Sequence, residues 1–169
     1  MRTPLLLILS LALPATAPAK NLKKDYHAWL CSGAGEVFGP PLPNGGRLVF
    51  DSRIPALTQL LFRYDAEQWG VPLDKGTPIY VSVCKDTVIH GEYVVGMAYT
   101  GQVKGLILSD ILTIDEARVT FLHEIGHVLG MRHRDDPYSI MRPWLMPNSK
   151  PVVSKADIEE LNAVRKGTQ

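Results

Sequence analysis

The sequence lacks a marked excess of either charge, and this narrows the classes of partner. Its 169 residues carry 18 Lys and Arg against 17 Asp and Glu, which leaves a formal net charge of +1. Proteins that bind nucleic acid or an anionic membrane surface by electrostatics carry an excess of basic residues. We therefore expect neither nucleic acid nor an anionic membrane as the partner of this chain.

After the N-terminal segment the sequence also lacks long hydrophobic runs, so no transmembrane helix is predicted in that part of the chain. The N-terminal segment itself has Arg2, an apolar run over 5–13 and the small-x-small sequence Ala17-Pro18-Ala19. Pro14 and Pro18 argue against the alternative of a buried helix. The pattern predicts a signal peptide over 1–19, a single domain over 20–169, and a secreted or periplasmic protein. No cysteine directly follows the apolar run, which argues against a lipid anchor.

Cysteine is scarce, with only Cys31 and Cys84 in the chain. In an oxidising compartment an even pair predicts one disulfide bond, whereas the alternative is two buried free thiols. Neither cysteine stands in a CxxC or another metal-ligand spacing. We therefore do not expect them to bind metal.

What is present is the composition of a globular protein, 46% hydrophobic and 21% charged, without internal repeats. Periodicity and turn residues predict an order of strand, helix, several strands, helix and helix, which indicates an α+β domain with a mixed sheet. The predicted strands are 47–51, 79–84, 93–100 and 105–109, and the predicted helices span 54–69, 113–129 and a segment that begins at Ser154. Thr113 and Glu116 stand three apart, which predicts a capping box at the start of the second helix. In the first helix Leu57, Leu60, Leu61 and Tyr64 recur at helical spacing.

The second predicted helix carries the sequence HExxH over His123 to His127. Residues four apart on a helix share one face, so His123 and His127 can bind one cation together. Glu124 borders that face, where it reaches a metal-bound water without being a ligand. The alternative for HExxH by itself is a solvated polar face of the helix.

The chain continues to Gly130 and His133, which completes the pattern HExxHxxGxxH. Glycine tolerates a left-handed conformation, so the chain can turn at Gly130 and bring His133 to the same metal. Three imidazoles leave zinc one open position for water, which is the arrangement of catalytic sites. We therefore predict one catalytic zinc on His123, His127 and His133, with Glu124 as the general base.

The completed pattern resembles the zinc motif of the metzincin metallopeptidases. Met141, eight residues after His133, resembles the Met-turn of this group, and the short spacing resembles the matrixin branch. The resemblance implies an α+β fold with a twisted mixed five-stranded sheet, a long active-site helix and a C-terminal helix. It also implies a metalloendopeptidase that acts on proteins or peptides, and we expect a monomer.

The same resemblance identifies residues 96–99 as the edge strand that holds peptide substrates, and this suggests that residues 93–100 lie at the cleft. Arg142 and Leu145 stand where matrixins usually have the tyrosines of the specificity pocket. A second zinc is not expected, because only His27 and His90 remain as imidazole ligands. Asp110 and Asp115 offer weak support for a calcium site, since two carboxylates do not make a cation cage.

Two other functions are compatible with the motif. The first is a non-catalytic, zinc-binding interaction protein on a peptidase fold, but such a protein has no need of Glu124. The second is a zinc hydrolase of cell-wall peptide amides, which the sequence does not separate from a protein-cleaving enzyme.

Overall fold

The structure is a computed structural model that describes residues 26–85, 88–89, 92–144 and 148–167. The predicted signal peptide over 1–19 and His90 lie outside these residues. The helices are α1 (Tyr26–Cys31), α2 (Ala56–Ala66), α3 (Ile114–Leu129) and α4 (Lys155–Gly167). The strands are β1 (Arg47–Phe50), β2 (Pro78–Cys84), β3 (Val88–Ile89), β4 (Glu92–Tyr93), β5 (Gly96–Tyr99) and β6 (Lys104–Ser109).

Four strands form a mixed sheet in the order β1-β2-β6-β5. The first three strands run parallel, and β5 pairs with β6 in the antiparallel sense at the edge. The predicted α+β class and mixed sheet are confirmed, but a count of five strands is not. The predicted strand over 93–100 is split, because Val88 pairs with Tyr93 and draws β4 into a separate two-stranded sheet with β3.

The main core lies between one face of the sheet and the helices α2 and α3. Alternate residues of β6, Leu106 and Leu108, belong to this core, whereas Ile107 points to the opposite face. The rings of Phe62 on α2 and Phe121 on α3 stack with centroids 4.5 Å apart. This stacking fixes α3 across the sheet and thereby positions the zinc motif.

The helix predicted over 54–69 is present, but its apolar stripe does not face the core. Leu57, Leu60 and Tyr64 are 70%, 63% and 67% exposed. The buried side chains of α2 are Phe62, Asp65 and Ala66. The aromatic stack on Phe121 and the ion pair between Asp65 and Arg118 of α3, at 2.8 Å, select this other face.

On the opposite face of the sheet, α1 buries Leu30 against Cys84, Tyr99 and Ile107. The predicted disulfide is confirmed, since Cys31 at the end of α1 is bonded to Cys84 at the end of β2. His27 is bonded locally, with its Nδ1 atom 3.0 Å from the Asp51 carboxylate. In the part of the chain that the structure describes, no helix is long and apolar enough to cross a membrane.

Candidate metal centre and cleft

The helix α3 begins at a capping box, as the sequence predicts. Thr113 accepts a hydrogen bond from the amide of Glu116 at 3.4 Å, and the Glu116 carboxylate accepts one from the amide of Thr113 at 2.9 Å. These reciprocal bonds satisfy amide groups that a helix start leaves without partners. The helix buries its apolar side chains in the core and turns His123 and His127 towards a cleft.

Gly130 ends the helix in the left-handed conformation that the sequence predicts, with φ of 104°. The amide of Met131 then donates to the carbonyl of Gly126 at 2.9 Å, which closes the last turn. A Cβ atom at Gly130 would lie 2.8 Å from Pro41, so the position also has no room for a side chain. Beyond this turn the chain doubles back and brings His133 to the other two imidazoles.

The orientation of two imidazoles is set by backbone carbonyls. The Nδ1 atom of His123 lies 2.8 Å from the carbonyl oxygen of Ile140, and that of His127 lies 2.9 Å from the carbonyl oxygen of Met131. A carbonyl oxygen only accepts, so in each ring Nδ1 carries the hydrogen and donates it. The Nε2 atoms of both neutral rings therefore present a lone pair.

These lone pairs converge on one point. The Nε2 atom of His127 lies 3.0 Å from that of His123 and 3.2 Å from that of His133. Unprotonated nitrogens so close repel each other unless a cation lies between them. Zinc with tetrahedral Zn–N bonds of about 2.05 Å separates its ligand nitrogens by about 3.3 Å, so the three rings fit this ion.

The protonation of the rings agrees with a role as ligands. Burial, and to a smaller extent the neighbouring imidazole of His127, lowers the pKa of His123 to about 4, and burial also lowers the pKa of His127. Both rings are therefore neutral at physiological pH, which is the form that binds metal. Among the described residues, the three imidazoles are the only set of three or more His, Cys, Asp or Glu side chains that converge in this way.

The structure gives no support to the calcium site considered from the sequence. The side chain of Asp115 is 76% exposed and contacts Arg118 at 3.6 Å. Neither Asp110 nor Asp115 belongs to a converging ligand set in the described part of the chain. Calcium also binds carbonyl and water oxygens, so this site stays a prediction from the sequence.

Glu124 lies beside the imidazoles and is bonded to the edge of the sheet. The residue is only 6% exposed, and its carboxylate accepts a hydrogen bond from the amide of Ala98 on β5. Burial raises the pKa of Glu124 to about 8 in the metal-free chain, and the bond from Ala98 opposes this rise. A Cβ atom at the neighbouring Gly96 would lie 2.8 Å from its Oε1 atom, so only glycine leaves the carboxylate room.

Met141 is fully buried against the helix that carries the imidazoles. A Cβ atom at Gly126, between His123 and His127 in sequence, would lie 2.3 Å from the Met141 sulfur. The packing of sulfur against bare backbone therefore brings the loop of Met141 close to α3. The same close approach places the carbonyl of Ile140 within reach of His123.

Asp157, in the first turn of α4, has a role that the sequence did not predict. Asp157 is fully buried and does accept hydrogen bonds from the amide and hydroxyl of Ser154, at 3.0 and 2.7 Å. It also accepts from the hydroxyl of Ser139 and from the amide of Ile140, the latter at 3.2 Å. A carboxylate in the first turn of an amphipathic helix was the only signal, and it does not identify the distant partner.

A cleft of about 1190 Å³ opens in front of the imidazoles. Its walls are the strand β5, the buried Glu124 and the segment 137–144 that follows His133. Exposed aromatic side chains stand around it, with Phe38 91%, Tyr138 85% and Trp144 67% exposed. Arg142 lines this cleft as well, whereas Leu145 lies outside the described residues.

The edge strand β5 turns half of its backbone groups towards the cleft. The amide of Ser109 donates to the carbonyl of Val95, which indicates that the odd-numbered residues pair with β6. The even-numbered residues point outward, since the amide of Ala98 donates to Glu124 and that of Thr100 to the carbonyl of Glu36. The open edge is therefore confined to Gly96 and Ala98, and the segment that contains Glu36 ends it.

Comparison with known proteins gives one family and similar solved structures. The sequence profile of the family described as Matrixin matches residues 62–165, which include the whole motif. Archaemetzincin from Methanopyrus kandleri is similar in fold, with a TM-score of 0.50 and 16% identity over 76% of this chain and 99% of that one. Archaemetzincin from Archaeoglobus fulgidus, solved in complex with malonate, gives a TM-score of 0.47 and 14% identity over 69% of this chain and 99% of that one. No curated protein matches the sequence.

Proposed function

The chain belongs to the matrixin family of zinc metallopeptidases, and from this premise we propose that it is a secreted zinc endopeptidase. The observation that carries the proposal is the convergence of three imidazoles next to a buried carboxylate in one cleft. A site that only binds metal has no use for the carboxylate, whereas hydrolysis requires a group that takes a proton from water.

His123, His127 and His133 would hold the zinc through their Nε2 atoms, while the carbonyls of Ile140 and Met131 keep two of the rings in the required tautomer. Bound zinc supplies a Lewis acid that polarises a scissile carbonyl and makes water more acidic. Met141 serves as the Met-turn residue that supports α3 from below.

Glu124 is the general base in the proposed reaction. Its carboxylate takes a proton from the attacking water and passes it to the amine that leaves. The amide of Ala98 holds this carboxylate in place at the wall of the cleft. Because Glu124 is buried, little bulk water competes for its proton.

An extended peptide would bind by adding a strand to the open part of β5. The outward carbonyls of Gly96 and Ala98 accept hydrogen bonds from the substrate backbone in this mode. Backbone bonding aligns the scissile bond with Glu124 without demanding a particular side chain. The exposed aromatic side chains around the cleft add apolar contacts.

We place the protein outside the cytoplasm, as a secreted or periplasmic enzyme with its signal peptide over 1–19. The disulfide between Cys31 and Cys84 supports this, since such bonds persist in oxidising compartments.

The test is a cleavage profile of the purified mature protein on a mixed peptide library, read by mass spectrometry. We expect cuts within the peptides, rather than removal of single terminal residues, and we expect a zinc chelator to abolish them. Restoration by added zinc, but not by added calcium, identifies the metal. Intact peptides at every enzyme concentration with zinc-loaded protein would contradict the proposed activity.

A further inference from the structure

The charges that line the cleft are almost all of one sign. Arg132, Arg142 and Lys150 are the basic residues among its described walls, and the buried Glu124 is the only acidic one. One carboxylate against three cationic side chains leaves an excess of positive charge on the walls of the cleft. A zinc ion adds two further positive charges, so the cleft is an electropositive feature on a chain of nearly neutral net charge.

Three arginines elsewhere in the molecule have carboxylate partners that these cations lack. Arg53, Arg118 and Arg134 each lie within 2.9 Å of a carboxylate, on Asp51, Asp65 and Glu160 respectively. No carboxylate among the described residues lies within ion-pair distance of Arg132, Arg142 or Lys150. The cleft therefore presents positive charge that the chain itself does not neutralise within its described part.

Arg142 is the best placed of the three, because the residue is half-buried and hydrogen bonds hold its guanidinium. It donates to the carbonyl of Pro137 at 2.8 Å and to the hydroxyl of Ser149, and both acceptors are neutral. A guanidinium has five N–H donors, so donors remain for a further partner. A rigid guanidinium that lacks a carboxylate matches the planar, bidentate geometry with which carboxylates bind.

The position of Arg142 in the chain brings this donor close to the chemistry. Ile140, two residues earlier, holds His123 through its carbonyl, and Met141 packs under the same helix. A substrate side chain that contacts Arg142 therefore belongs to a residue near the scissile bond. Arg132 and Lys150 are exposed residues on the walls of the cleft, and they add to its positive electrostatic field.

We infer that the cleft selects peptides that carry a carboxylate within three residues of the scissile bond, and that Arg142 binds it. This inference rests on the proposed function and names its substrate class. The carboxylate can come from an Asp or Glu side chain or from the C-terminus of the peptide. The two sources share the same chemistry at Arg142, and different substrates distinguish them.

The test uses pairs of peptides that differ only by Glu or Gln, placed in turn at each of the three positions on either side of the cut. A matching set carries an amidated C-terminus. We expect kcat/KM to favour Glu by about tenfold or more at one position, or to fall by as much on amidation, since hydrogen bonds to charged groups are worth this factor. Arg142→Gln should bring the ratio close to one while cleavage of the Gln peptide persists.

Two variants show whether the effect belongs to the guanidinium of Arg142. Arg142→Lys keeps the charge without the planar fork and should give an intermediate ratio. Arg53→Gln removes an exposed arginine that does not line the cleft and should leave the ratio at the wild-type value. A change in loop structure alone lowers the cleavage of both peptides together and does not alter their ratio.

If Arg142→Gln does not fold, as judged by circular dichroism, measurements on the wild-type enzyme still test the inference. Its preference for the carboxylate should weaken from about 50 mM to about 500 mM salt, because salt screens the charges. Equal cleavage of Glu and Gln peptides, free and amidated, at low salt overturns the inference but leaves the proposed function intact.

Failure of the proposed function has a different signature, since then no peptide is cut at all. In that case, calorimetric titration of the zinc-loaded protein with the same peptides decides the inference. Tighter binding of the carboxylate-bearing peptides, lost in Arg142→Gln, supports it. Equal affinities overturn it.

Discussion

The carboxylate of Asp157 accepts a hydrogen bond from the backbone amide of Ile140 at 3.2 Å. The carbonyl of the same Ile140 accepts a hydrogen bond from the Nδ1 atom of His123 at 2.8 Å. A buried side chain on α4 is thus linked through the backbone of one residue, Ile140, to an imidazole on α3. The position of the C-terminal helix and the geometry of the metal centre therefore depend on each other.

Replacing Asp157 by Asn should weaken zinc binding by about tenfold or more, because groups behind the ligands set their orientation. We also expect the free energy of unfolding to fall by about 1–3 kcal/mol, since buried donors lose a charged acceptor. Competition with a chromogenic zinc chelator and denaturant titration measure the two effects. Glu160→Gln is the matched control, because Glu160 also lies on α4 but is half-exposed and bonded to Arg134. Equal zinc affinity in both variants would show that the link does not reach the metal.

Glu124→Ala should keep its zinc and lose hydrolysis by about 10²-fold or more, the usual effect of losing a general base. Zinc content by atomic emission and kcat on a cleavable peptide are the measurements. Glu116→Ala makes the same exchange on the same helix, where it removes a capping interaction worth about 1 kcal/mol but touches no part of the cleft. Turnover near the wild-type value in Glu124→Ala would remove this residue from its role.

Gly96→Ala should reduce turnover although no chemical group is lost. The added Cβ atom would meet Thr120 at 2.4 Å and the Glu124 carboxylate at 2.8 Å, so the base must move. We expect kcat to fall about tenfold or more, as misplacement of a catalytic group does, while zinc stays bound. Gly70→Ala has nothing within 4 Å of its Cβ, so it should cost only about 1 kcal/mol of stability from its positive φ. Normal kinetics in Gly96→Ala would show that Glu124 has more freedom than its packing indicates.

Purified protein should contain one zinc per chain, because the described residues offer one ligand set. His133→Ala should lower zinc affinity by about 10²-fold or more, since a bond to the ion is lost outright. His27→Ala is the control, because His27 contacts Asp51 and not the other imidazoles. Metal analysis after dialysis gives the stoichiometry. A value near two would require ligands other than these three.

The double variant Cys31→Ser, Cys84→Ser should unfold more easily by about 2–4 kcal/mol, the usual contribution of a disulfide. Zinc content and turnover at low temperature should not change, because the bond ties α1 to β2 on the face of the sheet away from α2 and α3. Denaturant titration and peptide kinetics are the measurements. Alkylation of two thiols in denatured, non-reduced protein would contradict the bond itself.

The features that the sequence predicted correctly depend on neighbours in the chain. The capping box of Thr113 and Glu116, the stop at Gly130 and the shared face of His123 and His127 all arise within one or two helical turns. The disulfide followed from residue counting and the expected compartment. Such local rules do not depend on how the rest of the chain packs.

The features that were missed depend on packing between distant segments. Contacts with Phe121 and Arg118 of α3 determine which face of α2 is buried, and the spacing of the leucines on α2 does not. The link from Asp157 to Ile140 spans 17 residues, and nothing in the sequence of either segment identifies the other. The strand predicted over 93–100 is two strands in the structure, because Tyr93 pairs with Val88. The short strand that contains Val88 was not predicted from the sequence.

The bond between Cys31 and Cys84, separated by 53 positions, encloses the Gly- and Pro-rich segment that passes the end of β5. If one peptide bond within this covalent ring is cut, the two fragments stay joined, and the mass of the product rises only by one water. A peptidase that nicks itself there therefore runs as an intact chain until it is reduced. Autolysis of this protein has to be followed on reduced samples, because non-reduced ones count a nicked molecule as whole.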